Sequence, residues 1–323
     1  MVTLITSAIR LFTVFLFGSL GEIITEKSGH LNLGTPGVMC FGGIGGCIGI
    51  SLAVDMVGVD NGFISGFIII LFAIIFTILF GSLVGLLYSF LTVTLRANQN
   101  ITGLAITTFG VASANFFSLK IERNNLMAAS NGFFVNMFGI SDEASDAVQI
   151  LFSYGFLVYL AIIVAILTSV FLVKTKWGLG LRAVGENPAT ADAAGLNVSR
   201  YRYIATIVGS SVAGFGGLAY IMDFSNGLFE QAVSIETLGW LAVALVIFST
   251  WRPSVAIFGS LIFAFLYVLP YSSLLSMDTT TMEGIKMLPY IVTTVVLIIT
   301  SILGRRQVQP PASLGINYFR EDR

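Results

Sequence analysis

Nine apolar runs decide what this chain can fold into. They are Leu4–Ile24, Leu33–Val54, Phe63–Leu95, Ile101–Leu119, Ile150–Val173, Tyr203–Met222, Leu238–Thr250, Val255–Leu275 and Met287–Leu303. Crossing hydrocarbon takes roughly 20 apolar residues, and a backbone inside lipid must satisfy its own polar groups, which a helix does. The expected fold is an all-α, polytopic integral membrane protein with about 8–10 transmembrane helices. Charged residues are only 10% of the chain, against about 25% in a soluble domain. Phe63–Leu95 is too long for one upright helix and reads as a long tilted helix or two pieces. The glycine-rich second run and the short seventh are the candidates for a re-entrant or broken helix. The first 24 residues lack a basic stretch before the apolar one, so they read as a retained span and not a signal peptide. Residues 1–304 are then one membrane domain, and 305–323 a polar tail.

Charge sets the expected orientation. The passage between the fifth and sixth runs carries Lys174, Lys176, Arg182, Arg200 and Arg202 against Glu186 and Asp192. Short basic loops stay cytoplasmic. With that loop inside, Arg96, Arg252, Arg305 and Arg306 also fall inside, so the N-terminus is outside and the C-terminus cytoplasmic. The other side collects Asp55, Asp60, Glu122, Asp142, Glu143, Asp146, Asp223, Glu230, Glu236, Asp278 and Glu283. Arg10 and Lys27 are the weak points of the assignment. The chain is expected in a bacterial plasma (inner) membrane.

Little in the sequence supports bond chemistry. His30 is the one histidine, at the junction of the first two runs, and reads as an interfacial structural residue; no second histidine or cysteine cluster supports a metal site. Cys40 and Cys47 read as small buried hydrophobes. No G-x-x-x-x-G-K-[ST] sequence occurs, so any nucleotide hydrolysis belongs to another subunit. The glycines at 42–49 read as packing glycines. An enzyme is not expected.

The passage 174–202, KTKWGLGLRAVGENPATADAAGLNVSRYR, has a clear local design. Asn187 suits an N-cap and Pro188 the first helical position. Ala189, Ala191, Ala193 and Ala194 favour helix, and Gly195 can turn left-handed past the end. About two turns is far below the roughly 12–15 residues needed for marginal stability in water. Such a helix docks either on a soluble partner or on its own chain's loops.

The run RAVGENPATADAAGLNVSRYR resembles the cytoplasmic coupling loop of ATP-binding-cassette importer permeases, in the branch of branched-chain amino acid, simple-sugar and nucleoside permeases. GEIITEKSGHLNLGTPGVMCFGGIGG and LAVALVIFSTWRPSVAIFG are similar to the same branch, and the GEN-P-x-x-A-x-x-x-G pattern is nearest its nucleoside and simple-sugar members. The resemblance implies a loop that inserts into a cleft of a cytoplasmic ATPase subunit, through Arg182, Gly185, Glu186, Asn187, Pro188, Ala191, Ala194 and Gly195. It also implies a second permease subunit, the same or related, and a periplasmic or lipoprotein solute-binding protein. No cofactor belongs to this chain; ATP and Mg would sit on the ATPase. Membrane lipid is the remaining partner, and nucleic acid is not one.

Polar groups inside spans are expensive and mark pathways. Glu22 is the main one, unless it lies near the cytoplasmic end and reaches the interface. Asn32 is an N-cap candidate for the second span that could also aim a helix N-terminus at solute. Asn98, Gln99 and Asn100 form an amide cluster that either recognises solute or starts the fourth helix. Asn115 with Phe116 could bond and stack on a ring, or belong to the core. Two readings compete: an importer permease for a nucleoside or simple sugar, and an ion-coupled carrier using Glu22. An intramembrane enzyme lacks a catalytic dyad or metal set.

Overall fold

The computed structural model describes residues 2–59, 62–135, 137–140, 145–271, 278–303 and 309–319. Asp60, Asp142, Glu143, Arg305 and Arg306 lie outside the described residues. Within them, fourteen α-helices follow in order: α1 Val2–Glu26, α2 Thr35–Val57, α3 Phe63–Ser89, α4 Gln99–Ser118, α5 Arg123–Ala129, α6 Asp146–Phe152, α7 Phe156–Lys174, α8 Lys176–Glu186, α9 Pro188–Ala193, α10 Val198–Ala219, α11 Ala232–Phe248, α12 Pro253–Val268, α13 Thr279–Lys286 and α14 Leu288–Leu303. Eight stretches are long and apolar enough to span a membrane, and α11 adds a shorter one of 17 residues.

The long third run is one helix. α3 continues through a π-turn at Phe90–Thr94, making a 32-residue span that must tilt or overhang in a bilayer of ordinary thickness. Neither candidate for a broken helix is broken. α2 is continuous; at one end Thr35 donates to Glu22, and near the other Asp55 accepts from Asn125 at 3.1 Å. α11 also runs end to end: Ala232 N–H meets Asn115 near its start, and Trp251, just past its last turn, meets Glu26. Its 17 residues cover only about 25 Å.

The core is α1, α2 and α10, with α3, α4, α7, α11 and α12 around them. Glycine makes α2 the central helix. A Cβ on Gly42 would lie 2.5 Å from the Gly214 Cα of α10, and one on Gly43 2.6 Å from the Gly217 carbonyl carbon. Gly45, Gly46 and Gly49 press equally close on Phe80, Thr77 and Phe76 of α3. Where lipid supplies no hydrophobic drive between helices, this backbone approach is what holds them. α3, α7 and α14 turn large apolar side chains outward, among them Phe67, Leu83, Ile163, Leu167 and Ile298.

One charged pair sits inside the bundle. Arg10 Nε of α1 approaches Asp223 Oδ1, in the π-turn that ends α10, at 3.6 Å, and Asp223 is fully buried. Asp223 therefore lies inside the bundle and not in an exposed loop. The pairing also explains why Arg10 departs from the charge rule, since its charge is met by its own bundle.

Candidate functional site

The α8–α9 loop sits at one end of the bundle, with the α1–α2 turn, the α3–α4 junction, the α11–α12 turn and residues 309–319. At its tip the local design of the sequence is realised. Asn187 Oδ1 accepts from Thr190 N at 3.0 Å, and Pro188 occupies the first helical position of α9. Past the end, Gly195 adopts φ +86°, which lets Leu196 N–H reach Ala191 O at 3.0 Å and closes the helix.

α9 packs one face on its own chain and leaves the other exposed. Ala191 is buried with Val184 and Val198, backed by Leu196, Tyr201 and Tyr318. Glu186, Asn187, Ala193, Ala194 and Gly195 are exposed, and nothing lies within 4 Å of where a Gly195 Cβ would be. Arg182 and Pro188 are half-buried. Gly185 faces inward, and a Cβ there would meet the Lys27 carbonyl and lie 3.2 Å from Gly29 N. Of the eight expected contact residues, then, Gly185 of α8 and Ala191 of α9 are packed on the chain itself, and Glu186, Asn187, Ala194 and Gly195, which flank α9, are exposed.

α8 is a helix that the sequence does not announce, because Gly178, Gly180 and Gly185 disfavour one. Thr175 caps it, its hydroxyl accepting from Gly178 N at 3.0 Å. The glycines serve contact: a Cβ on Gly180 would lie 2.9 Å from the Tyr201 ring carbon Cζ, and one on Gly178 2.8 Å from Leu172 Cα. Trp177 packs on Tyr201 with ring centroids 5.1 Å apart, fastening α8 to α10.

Residues 309–319, which the sequence presents as part of a polar tail, fold back over this end. Ser313 N donates to Gly185 O at 3.0 Å and Gly315 N to Gly29 O at 3.2 Å. Asn317 accepts from Gln99 Nε2 at 3.0 Å and donates to Arg96 O at 3.0 Å, while Tyr318 donates to Asp192 at 2.8 Å. One strap so joins the α9 helix to three neighbouring segments.

Beneath the loop lie two buried carboxylates one helical turn apart. Glu22 is fully buried and accepts from Asn32 N, at 3.3 Å, and from the Thr35 hydroxyl. It does not reach solvent. Glu26, 4% exposed, accepts from Trp251 Nε1, and Thr250 and Trp251 both hold left-handed φ, at 51° and 55°, to place that indole. α1 is thereby tied to the entry of α2 and the exit of α11. Sequence reasoning alone misses Glu26 and Trp251; the i,i+4 spacing in GEIITE is the available signal.

The other pathway candidates do not form one site. Asn32 does not cap α2, whose N-cap is Gly34; its Oδ1 accepts from Gly34 N at 3.0 Å and shapes the turn. Asn98 caps α4 through Ile101 N at 3.1 Å, and Asn100 is exposed. Gln99, 2% exposed, bonds Leu31 N at 2.8 Å and the tail. Asn115 and Phe116 lie about 25 Å away at the far end of α4, where Asn115 accepts from Ala232 N at 3.0 Å and Phe116 carries Lys120 at 4.9 Å. His30, in the turn between α1 and α2, is fully buried; its Nδ1 meets Thr206 at 3.3 Å and its ring meets Tyr88 edge-on. Burial, then the nearby Arg202 guanidinium, pushes its pKa down to about 3. Among the described residues, no group of three or more His, Cys, Asp or Glu side chains could hold a metal ion.

Residues 4–301 match the family described as branched-chain amino acid transport system / permease component. Similar chains include a protein of Haloferax volcanii provisionally named a glucose ABC transporter permease (29% identical, covering 84% of this chain and 77% of that one). The nucleoside ABC transporter permease NupC of Lactococcus lactis subsp. cremoris is 28% identical over 95% of this chain and 94% of its own. The guanosine ABC transporter permease NupQ of Bacillus subtilis is 27% identical over 94% and 92%. No solved structure matches. With a match across nearly its whole length and a helical bundle that carries a loop of this design, the chain belongs to the permease components of this transport family.

Proposed function

We propose that this chain is half of the solute pathway of an ATP-driven importer for a nucleoside or simple sugar. Its 174–202 loop receives the motion of a cytoplasmic ATPase through the exposed face of α9. Residues 1–304 form the permease domain and 305–323 a cytoplasmic tail, of which 309–319 brace the domain. The N-terminus lies outside and the loop inside the bacterial inner membrane. The single observation that carries this reading is α9 itself: six residues, capped at both ends, one face packed on its own chain and the other free.

The same end of the bundle offers a route for that motion. α9 continues into α8, whose Gly185 rests on the Lys27–Gly29 turn, and that turn joins α1, with Glu22 and Glu26, to the start of α2 and the end of α11. Glu22 accepts from Asn32 and Thr35 within this lock, and the similarity to ABC permeases along nearly the whole chain favours the importer over an ion-coupled carrier. A second permease chain, the same or related, would complete the pathway, and a solute-binding protein would feed it from outside. The similarity to nucleoside and glucose permeases supports the substrate class. ATP and Mg belong to the ATPase.

The test is uptake and ATP hydrolysis by the chain reconstituted with its genomic neighbours. Nucleoside or sugar delivered by the binding protein should stimulate hydrolysis. Uptake that persists without any ATPase and collapses with an uncoupler would overturn the reading.

A further inference from the structure

A cavity of about 440 Å³ lies beside the coupling loop, enclosed by the end of α3, the α9–α10 junction and the tail strap. Its wall includes the Asp192–Tyr318 and Asn317–Arg96 contacts that hold the strap in place. Its charge is mainly positive. Arg96 stands exposed at the rim, with its guanidinium over the Phe319 ring at 4.8 Å. Arg202 lines it from α10 at only 3% exposure; Nη2 donates to Ile316 O at 3.2 Å, and Nε has no hydrogen-bond partner.

The first turn of α10 opens onto the same space. Asn197 Oδ1 is taken by Arg200 N, so the leading N–H groups of Val198 and Ser199 have no acceptor within the helix. The one carboxylate in the lining, Asp192, accepts the Tyr318 hydroxyl at 2.8 Å. A guanidinium cannot shed its charge, so Arg202 adds a fixed positive charge to the wall of this cavity. Two guanidinium groups and a helix N-terminus facing one small cavity match an anion with several acceptor oxygens.

We propose that this cavity binds a phosphate-class oxyanion, carried either by an anionic lipid headgroup from the adjacent leaflet or by a soluble phosphate compound. It does not depend on what the importer carries, although its wall shares Gly195 with the face proposed to meet the ATPase.

The test uses the full-length protein in phosphatidylcholine nanodiscs and follows thermal unfolding. One arm adds inorganic phosphate; the other replaces part of the lipid with phosphatidylglycerol. Both are run on wild type, on Arg96→Gln at the rim, and on Arg123→Gln, an exposed arginine at the start of α5 at the far end. Arg96 is on the surface, so its variant should fold. The wild type should be stabilised in at least one arm, and the responding arm identifies the source. Arg96→Gln should weaken the response about tenfold in concentration, as expected for one charge-assisted contact, with Arg123→Gln unchanged. A wild type that responds in neither arm, or an Arg96→Gln response equal to wild type, would overturn the proposal.

Discussion

The left-handed turn at Gly195 can be tested apart from everything else in the loop. With φ at +86° and nothing within 4 Å of the position a Cβ would take, a side chain there meets no neighbour in this chain, so only the backbone resists it. An L-residue in this region costs about 1–2 kcal/mol, with asparagine the tolerated exception. Against an RT of about 0.59 kcal/mol, Gly195→Ala should raise opening of the α9 end about 5- to 30-fold. Gly195→Asn should raise it less, and Gly195→Val most, since β-branched residues fit this region worst. The assay is amide exchange at Leu196, whose N–H bonds Ala191 O, alongside solute-stimulated ATP hydrolysis in the reconstituted complex. Exchange should rise in the order Asn, Ala, Val, and stimulation should fall in that order. An order set by side-chain volume, with asparagine worse than alanine, would refute the backbone reasoning.

Three further outcomes are expected. Glu22→Gln keeps one oxygen to accept from Asn32 N and turns its amide N–H towards the Thr35 hydroxyl, which can accept it while donating to Asn32 O, and should unfold near the wild-type temperature. Glu22→Leu leaves the Asn32 N–H buried and unmet, at about 1–3 kcal/mol, and should melt well below it. Asn317→Ala removes the strap's bonds to Gln99 and Arg96 and should speed exchange at residues 96–99 and lower the melting temperature, leaving Asn187–Gly195 folded. His30 is held neutral, with its pKa down near 3 against about 6.5 unfolded. The unfolded chain therefore binds the extra proton, and His30's contribution to stability is lost as pH falls from about 6.5 towards 3. His30→Gln should flatten that part of the melting-temperature profile, and an unchanged slope would count against the burial argument.

The spans are legible in the sequence because each is a local property: about 20 apolar residues need no partner to declare themselves. The α9 caps are legible for the same reason, since Asn187, Pro188 and Gly195 act within a few residues of one another. What escapes is set by contacts distant in sequence. α8 is hidden by its own glycines, which exist to let Phe171, Tyr201 and Lys27 approach. The strap has no periodicity, and its Pro310-Pro311 start gives no sign of where Ser313 and Asn317 will bond. Trp251 meets Glu26 across 225 positions. Asp223 looks like an outer-loop acid because its partner, Arg10, lies in another span. The amides that suggest a pathway are caps and loop ties, roles asparagine takes whenever backbone groups at helix ends need a partner.

The direct measurement of the central claim is thiol labelling at Ala194→Cys. Ala194 is exposed at the tip of the loop, and Cys40 and Cys47 are fully buried, so background labelling is low. In inside-out membrane vesicles stripped of peripheral subunits, an impermeant maleimide should label the new cysteine, and adding back the ATPase subunit should protect it. Labelling from the outer face only, or labelling that the ATPase leaves unchanged, would contradict the account.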